Sequence, residues 1–170
     1  LSPKFYDAWK FAGSPPPITT DAKGEYAGRF MSIKVKFKCY DSFGKRIKGE
    51  NLSCALTSVY HPCHDPEHGN FNTELGSLLS KIPSNTHIVM GADVNARIGV
   101  RIGPDNERTI GPHGIGGRNE RGATVLQLYG EHTLRVENTF FQHRDYVTYV
   151  SKGEDKTPSM HDIFACSHDM

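Results

Sequence analysis

The sequence predicts an α/β domain, and three observations predict it. Apolar residues alternate with polar ones from residue 29 onward, an amphipathic stretch of helical period lies around residue 71, and a short apolar run at residues 87 to 91 ends in glycine before two polar side chains. Strands repeat every two residues and helices about every 3.6, so both patterns in one chain imply mixed secondary structure. The chain has 170 residues, 36% hydrophobic and 23% charged, which suits one globular unit large enough to bury a core.

Residues 1 to 28 hold an aromatic cluster, Phe5, Tyr6, Trp9 and Phe11, followed by Gly13, Ser14 and the prolines Pro15, Pro16 and Pro17. Prolines cannot donate ladder hydrogen bonds, so this segment reads as a lead-in or linker, with the domain proper over residues 29 to 170. From Arg29, Ile33, Val35, Phe37 and Cys39 alternate with Ser32, Lys34, Lys36 and Lys38, a strand with its lysine row in solvent. Asp41, Ser42, Phe43 and Gly44 signal a turn, and an apolar strand over residues 52 to 60 follows after a long charged connection.

A loop through His61, Pro62, Cys63, His64, Asp65 and Pro66 leads to a helix. Phe71, Leu75, Leu78 and Leu79 share one helical face, Asn70 or Asn72 is the candidate N-cap, and Pro83 closes the helix. The apolar strand of residues 87 to 91 runs into Ala92, Asp93, Val94 and Asn95, and a glycine-rich segment occupies residues 99 to 117. A second helix spans residues 120 to 132, with Val125, Leu128 and Tyr129 inward and Gly122 weakening its first turn. Strands near residues 134 to 138, 147 to 150 and 162 to 166 complete a β-rich domain without internal repeats.

Twenty Lys and Arg against nineteen Asp and Glu leave a formal net charge of +1, so any basic surface must be local. Cys39, Cys54, Cys63 and Cys166 form no CxxC pair, and reduced thiols of an intracellular protein are the expectation. No stretch approaches the ~20 apolar residues of a membrane helix, and no segment has the pattern of a secretion signal.

The most informative segment runs Ile88, Val89, Met90, Gly91, Ala92, Asp93, Val94, Asn95, Ala96. A buried strand here delivers a carboxylate and a carboxamide two residues apart, projecting to one side in extended geometry. The carboxylate can hold and deprotonate a water, and the amide can donate to a phosphoryl oxygen as charge builds. The plainer alternative is a hydrogen-bonded turn, which Asp and Asn make routinely.

The order of several such elements resembles the endonuclease/exonuclease/phosphatase superfamily from about residue 30 to residue 166. Ser58, Val59, Tyr60, His61 and Pro62 are similar to its strand ending in Tyr-x-Pro, and the amphipathic helix follows. Residues 91 to 95 are similar to its Gly-Asp-Phe-Asn strand with Ala92 inserted, and Met160, His161, Asp162, Ile163 and Phe164 occupy the position of its Ile-Asp-Tyr strand. Between them, Asn138 to Phe141 and Val147, Thr148 and Tyr149 are similar to the intervening stretch. Residues 95 to 99, with residues 111 to 122, are closest to the retroelement branch, the endonucleases that retrotransposons encode to nick DNA.

The resemblance implies a four-layer α/β sandwich of two mixed β-sheets flanked by helices, incomplete in this chain. It implies Asp93 positioning or activating the attacking water, Asn95 binding the scissile phosphate or a second metal, Tyr60 contacting the phosphate, and Asp162 orienting a catalytic histidine. Asp93 and Asn95 would also be the metal-binding residues, with Mg²⁺, or Mn²⁺ in its place, as the ion. Thr148 and Tyr149 would line the DNA side, where an aromatic ring can stack. Apart from the resemblance, the glycine-rich segment reads as a surface loop that either contacts the DNA backbone through Arg101, Arg108, Arg118 and Arg121 or is plainly solvated. DNA is the implied partner, a fused reverse transcriptase in the parent protein a second, and an intracellular location, the nucleus, the compartment.

The sequence also departs from the family. Nothing in residues 1 to 28 resembles the strands that carry the family's metal-binding glutamate and an early asparagine, and Ser167, His168 and Asp169 give the letters of its Ser-Asp-His strand in another order. His161 stands where isoleucine is usual, and Ile163 where tyrosine is. The chain on its own is therefore expected to be inactive or nearly so, because losing the metal or the histidine costs orders of magnitude. A catalytically dead remnant acting as a binding module is the alternative, and a relative acting on lipid or inositol phosphates is disfavoured by the glycine-rich loop. The histidine-rich loop of residues 60 to 68 could hold zinc, but all its ligands are local, and a solvated loop is the expectation. The glycines between residues 111 and 117 lack the Gly-Lys-Ser or Gly-Lys-Thr of a phosphate loop.

Overall fold

The computed structural model describes residues 2–21, 23–64, 67–152 and 156–168. Its frame is a mixed six-stranded sheet in the order β1-β2-β3-β4-β8-β5: β1 (Ile18–Thr19), β2 (Phe30–Tyr40), β3 (Arg46–Tyr60), β4 (His87–Asp93), β8 (Asp162–Ser167) and β5 (Leu134–Val136). Only β3 and β4 run parallel, joined by helix α2 (Glu67–Leu79); the other neighbours are antiparallel. Helix α3 (Glu120–Glu131) precedes β5, and β6 (Tyr149–Val150) with β7 (Pro158–Ser159) forms a separate two-stranded ribbon. The α/β class stands. Among the described residues the expected second mixed sheet is absent, and the ribbon is the only other sheet.

Alternation divides this sheet into two unlike faces. Phe30, Ala55, Val59, Ile88, Met90, Ala92, Ile163 and Ala165 point to one side and are buried in a single core with Phe71, Leu75, Leu78 and Leu79 of α2 and Val125, Leu128 and Tyr129 of α3. The helical faces read from the sequence are those that pack here. On the opposite side, Met31, Phe164 and Tyr60 are exposed.

The described parts of residues 1 to 28, a segment whose sequence reads as a lead-in or linker, pack on the sheet. Helix α1 (Pro3–Phe11), capped by the Ser2 side chain, sets Ala8 with Phe5 and Trp9 against Val35 and Cys54, β1 pairs with β2, and Tyr26 lies in the main core. The Trp9 indole donates to the Pro15 carbonyl at 3.0 Å, so the proline run tethers the helix instead of freeing it. The lysine row of β2 is only partly solvated: Lys36 and Lys38 lie over the Phe11 ring, while Phe37 is exposed.

Two further boundaries shift. The charged connection before residue 52 is itself strand, since Asp41 accepts from the backbone of Phe43 and Lys45, closes a tight turn, and lets β3 start at Arg46 opposite Tyr40. Helix α2 starts at Glu67, before either proposed cap, and Asn72 is buried with its amide donating to Thr124. Asn119 caps α3 as its side chain accepts from Gly122 N. Gly122, expected to weaken that turn, is required by it: a Cβ there would collide with the Arg97 carbonyl oxygen.

Candidate active site

Register brings together the residues singled out at the strand ends. Tyr60 on β3 aligns with Asp93 on β4, and Asp93 aligns with Asp162 on β8. Aligned residues of neighbouring strands share a face, so the three form a row across the sheet on its open side. Sequence distances of 33 and 69 residues collapse here because β3 and β4 end together and β8 starts beside them.

Backbone bonds hold the row at both edges. His61 N donates to Asp93 O (2.9 Å) and Val94 N to His161 O (2.9 Å), tying the end of β4 to the segments on either side. Asp93 Oδ1 accepts from Asn95 N at 3.0 Å, the turn that Asp and Asn favour. That turn puts Asn95 at φ 43°, a left-handed conformation to which asparagine is well suited. One Asn95 side-chain N–H is spent on the His61 carbonyl (2.7 Å), so the carboxamide is fixed in direction. Its oxygen is then the atom presented for an electrophile.

Beside the row opens a cleft of about 600 Å³ lined by Asn95, Arg97, Arg121, Tyr149, His161 and Cys63 among others. Thr148, next to the lining residue Tyr149, ties the ribbon to the start of β8: the Thr148 Oγ1 accepts from both His161 N (2.8 Å) and Asp162 N (2.9 Å). This residue, expected to line the DNA side, thus fixes where Asp162 starts. Tyr149 is half-exposed, and its ring stacks on His161 with centroids 4.4 Å apart and planes 11° from parallel. Burial pushes the His161 imidazole below its usual value; Asp93 and Asp162 work against that shift, and Arg121 and Arg97 add to it. Asp162 is exposed, and among the described residues its carboxylate holds no hydrogen bond from a histidine.

Arg118 corrects an expectation. Its guanidinium grips Asp105 through two bonds of 2.6 and 2.7 Å and donates to the carbonyls of Ile98 and Val100. Both side chains are largely buried, and the Arg118 bond holds the Asp105 carboxyl below the usual carboxylate range. Arg118 is therefore the brace of the glycine-rich loop. Gly99 makes room for it, with φ +68° and a Cβ position 2.7 Å from Arg118 N. The cations that face the cleft are Arg97 and Arg121, the latter also donating to Cys63 O at 2.6 Å.

The histidine-rich loop is not simply solvated either. His61 and His68 are fully buried with rings 5.0 Å apart, His61 sits edge-on to Phe71, and His68 Nε2 contacts Val94 O at 3.0 Å. Burial drives the His61 imidazole down to about 3, so it is neutral at ordinary pH. Cys63 and His64 remain exposed, and Asp65 and Pro66 lie outside the described residues. Among the described residues no group of three His, Cys, Asp or Glu could hold a metal ion. All four cysteines are free, with Cys54 and Cys166 buried.

Sequence reasoning missed His161, Arg97 and the buried imidazole pair. His161 was visible only as a departure at the Ile-Asp-Tyr position, and Arg97 as a neighbour of Asn95.

The fold is that of an α/β domain whose polar row gathers where β3 and β4 end and β8 begins. Among solved structures the chain is similar to the endonuclease domain of TRAS1, a telomere-specific non-LTR retrotransposon, with a TM-score of 0.52 and 16% identity over 85% of this chain. The chain spans about half the length of that domain, 52%. No protein-family model and no curated protein matches the sequence.

Proposed function

We propose that this chain is part of a DNA-nicking phosphodiester hydrolase of the retroelement type. One observation carries the reading: Tyr60, Asp93 and Asp162 stand in register on the open face, beside a cleft lined by Asn95, Arg97 and Arg121. Two arginines suit a phosphate backbone, and the likeness to the TRAS1 endonuclease domain supports a nucleic-acid substrate.

In this reading Asp93 orients and activates the attacking water, and Tyr60, exposed, contacts a phosphate oxygen through its hydroxyl. Asn95 presents its carboxamide oxygen, while Arg97 and Arg121 hold the flanking phosphates. The stacked pair of Tyr149 and His161 offers a flat ring to a sugar or base at the cleft wall.

Like charges placed opposite each other on neighbouring strands destabilise a sheet, and Asp93 and Asp162 are such a pair. A divalent cation removes that penalty, and Mg²⁺ is commonly bound through one or two carboxylates, with waters and substrate phosphates filling its other positions. Asp93, Asn95 and Asp162 would hold it. When bound, the ion supplies neutralisation of charge developing on the phosphoryl oxygens. A fused reverse transcriptase and a nuclear site of action belong to the same proposal.

A second reading, a binding module without catalysis, is favoured by the sparse donor set. Plasmid nicking separates the two. The chain extended on both sides in its parent protein is expected to nick supercoiled DNA with Mg²⁺ and to lose that activity on Asp93→Asn. Equal nicking by that variant would sink the assignment.

A further inference from the structure

The near-zero net charge conceals a segregation. Residues 1 to 50 carry ten Lys and Arg against five Asp and Glu, whereas residues 51 to 170 carry ten against fourteen. The excess is concentrated on α1 and the β2–β3 hairpin, at the end of the sheet away from the cleft. Lys38 pairs with Asn51, nine residues before Tyr60 along β3, so the two regions lie roughly 30 Å apart at about 3.3 Å per strand residue.

A groove of about 350 Å³ runs between α1 and β2 there. Lys4, Lys36 and Lys38 line it together with the rings of Phe11, Phe37 and Tyr40, and Asp7 is its one acidic lining residue. Lys36 and Lys38 place their ammonium groups 5.7 and 5.5 Å from the Phe11 ring centroid, and Lys10 lies 4.6 Å from that of Tyr6. These cation–π contacts hold the lysines at the rim. Tyr40 is 58% and Phe37 37% exposed, and Phe43 at the hairpin tip is 93% exposed. A merely solvated lysine row needs no exposed rings between its charges.

We propose that this groove is a second nucleic-acid surface, one that takes a single strand. Lysines neutralise phosphates, and exposed aromatic rings stack on base faces that a duplex keeps hidden. Lys36 and Lys38 repeat at roughly 6.6 Å along β2, twice the ~3.4 Å rise per phosphate of a stacked strand, so the two can meet alternate phosphates. The proposal is independent of catalysis at Asp93.

The test is fluorescence anisotropy of the whole chain with a labelled oligothymidylate in EDTA, across a salt series. Combining Lys36→Gln with Lys38→Gln is expected to weaken binding about tenfold and to reduce the slope of log K against log salt by about 1.4, two single-strand phosphates. Tyr40→Ala is expected to weaken it at least about fivefold, and the paired Lys→Arg substitutions to retain it. Circular dichroism of each variant shows that the fold is kept. An unchanged salt slope in the glutamine variant overturns the proposal, as does a loss equal for single strand and duplex, or tighter binding to phosphatidylserine vesicles than to the oligonucleotide. Arg97→Gln reports on the cleft alone, so failure of the groove leaves the nuclease reading standing, and the reverse.

Discussion

The two faces of one sheet obey different rules. The face under α2 and α3 is closed: Phe71, Leu75, Met90, Val125 and Tyr129 have no exposure, and every strand contributes to one core. The other face carries Tyr60, Asp93 and Asp162 in register and leaves Met31 52% and Phe164 46% exposed. The closed face holds the main core, while the other face packs α1 on Val35 and Cys54 toward the hairpin and exposes the polar row at the strand ends. Substitutions on the two faces should therefore have opposite consequences.

The largest effect is expected on the closed face. Phe71→Ala removes a fully buried ring that touches Tyr26 and His61 and is expected to cost about 3–5 kcal/mol in urea unfolding. A loss below about 1 kcal/mol would mean that the core can close over the gap.

Next comes the brace of the glycine-rich loop. Arg118→Ala strands Asp105 in a largely buried site and is expected to destabilise by roughly 2–3 kcal/mol with little change in DNA affinity. Arg121→Ala, at the cleft, should show the reverse. If Arg118→Ala weakens DNA binding and spares stability, the loop brace is also a DNA contact.

The buried imidazole at the boundary between the faces gives a pH effect. His61 is held neutral, at about 3 when folded against about 6.5 unfolded. The unfolded chain therefore binds more protons as pH falls below about 6.5, and stability declines with it. Between pH 7 and pH 5 that group alone is expected to remove about 2 kcal/mol. His61→Leu should flatten this part of the urea-midpoint profile, and an unaltered profile would exclude His61 as its source.

The smallest effect is expected on the open face, where Phe164→Ser should stay within about 0.5 kcal/mol. A larger loss would show that this face is covered in solution.

Sequence pattern reached the closed face most directly. Phe71, Leu75, Leu78 and Leu79 announce their helix by spacing alone, and Val125, Leu128 and Tyr129 do so for α3. The row of Tyr60, Asp93 and Asp162 was legible as separate motifs because each sits where a strand starts or stops. What pattern could not reach depends on contacts between distant or irregular segments. Nothing in the proline run shows that Trp9 bonds to Pro15 and packs α1 on β2. The grip of Arg118 on Asp105 is a loop closure without period, and His61 looks like a polar loop residue until Phe71 and His68 are folded over it. Helix propensity makes Gly122 a weak first-turn residue, whereas the close approach of the Arg97 carbonyl requires it there.

Titration of the isotopically labelled chain with Mn²⁺, followed by paramagnetic broadening of its amide signals, reports directly on whether the strand-end row holds a divalent cation. Broadening is expected first at Asp93, Asn95 and Asp162 on the open face, reversed by Mg²⁺ and abolished by Asp93→Asn. Broadening confined to other residues, or unchanged in that variant, would contradict the assignment of this strand-end row as a metal-assisted phosphodiesterase site.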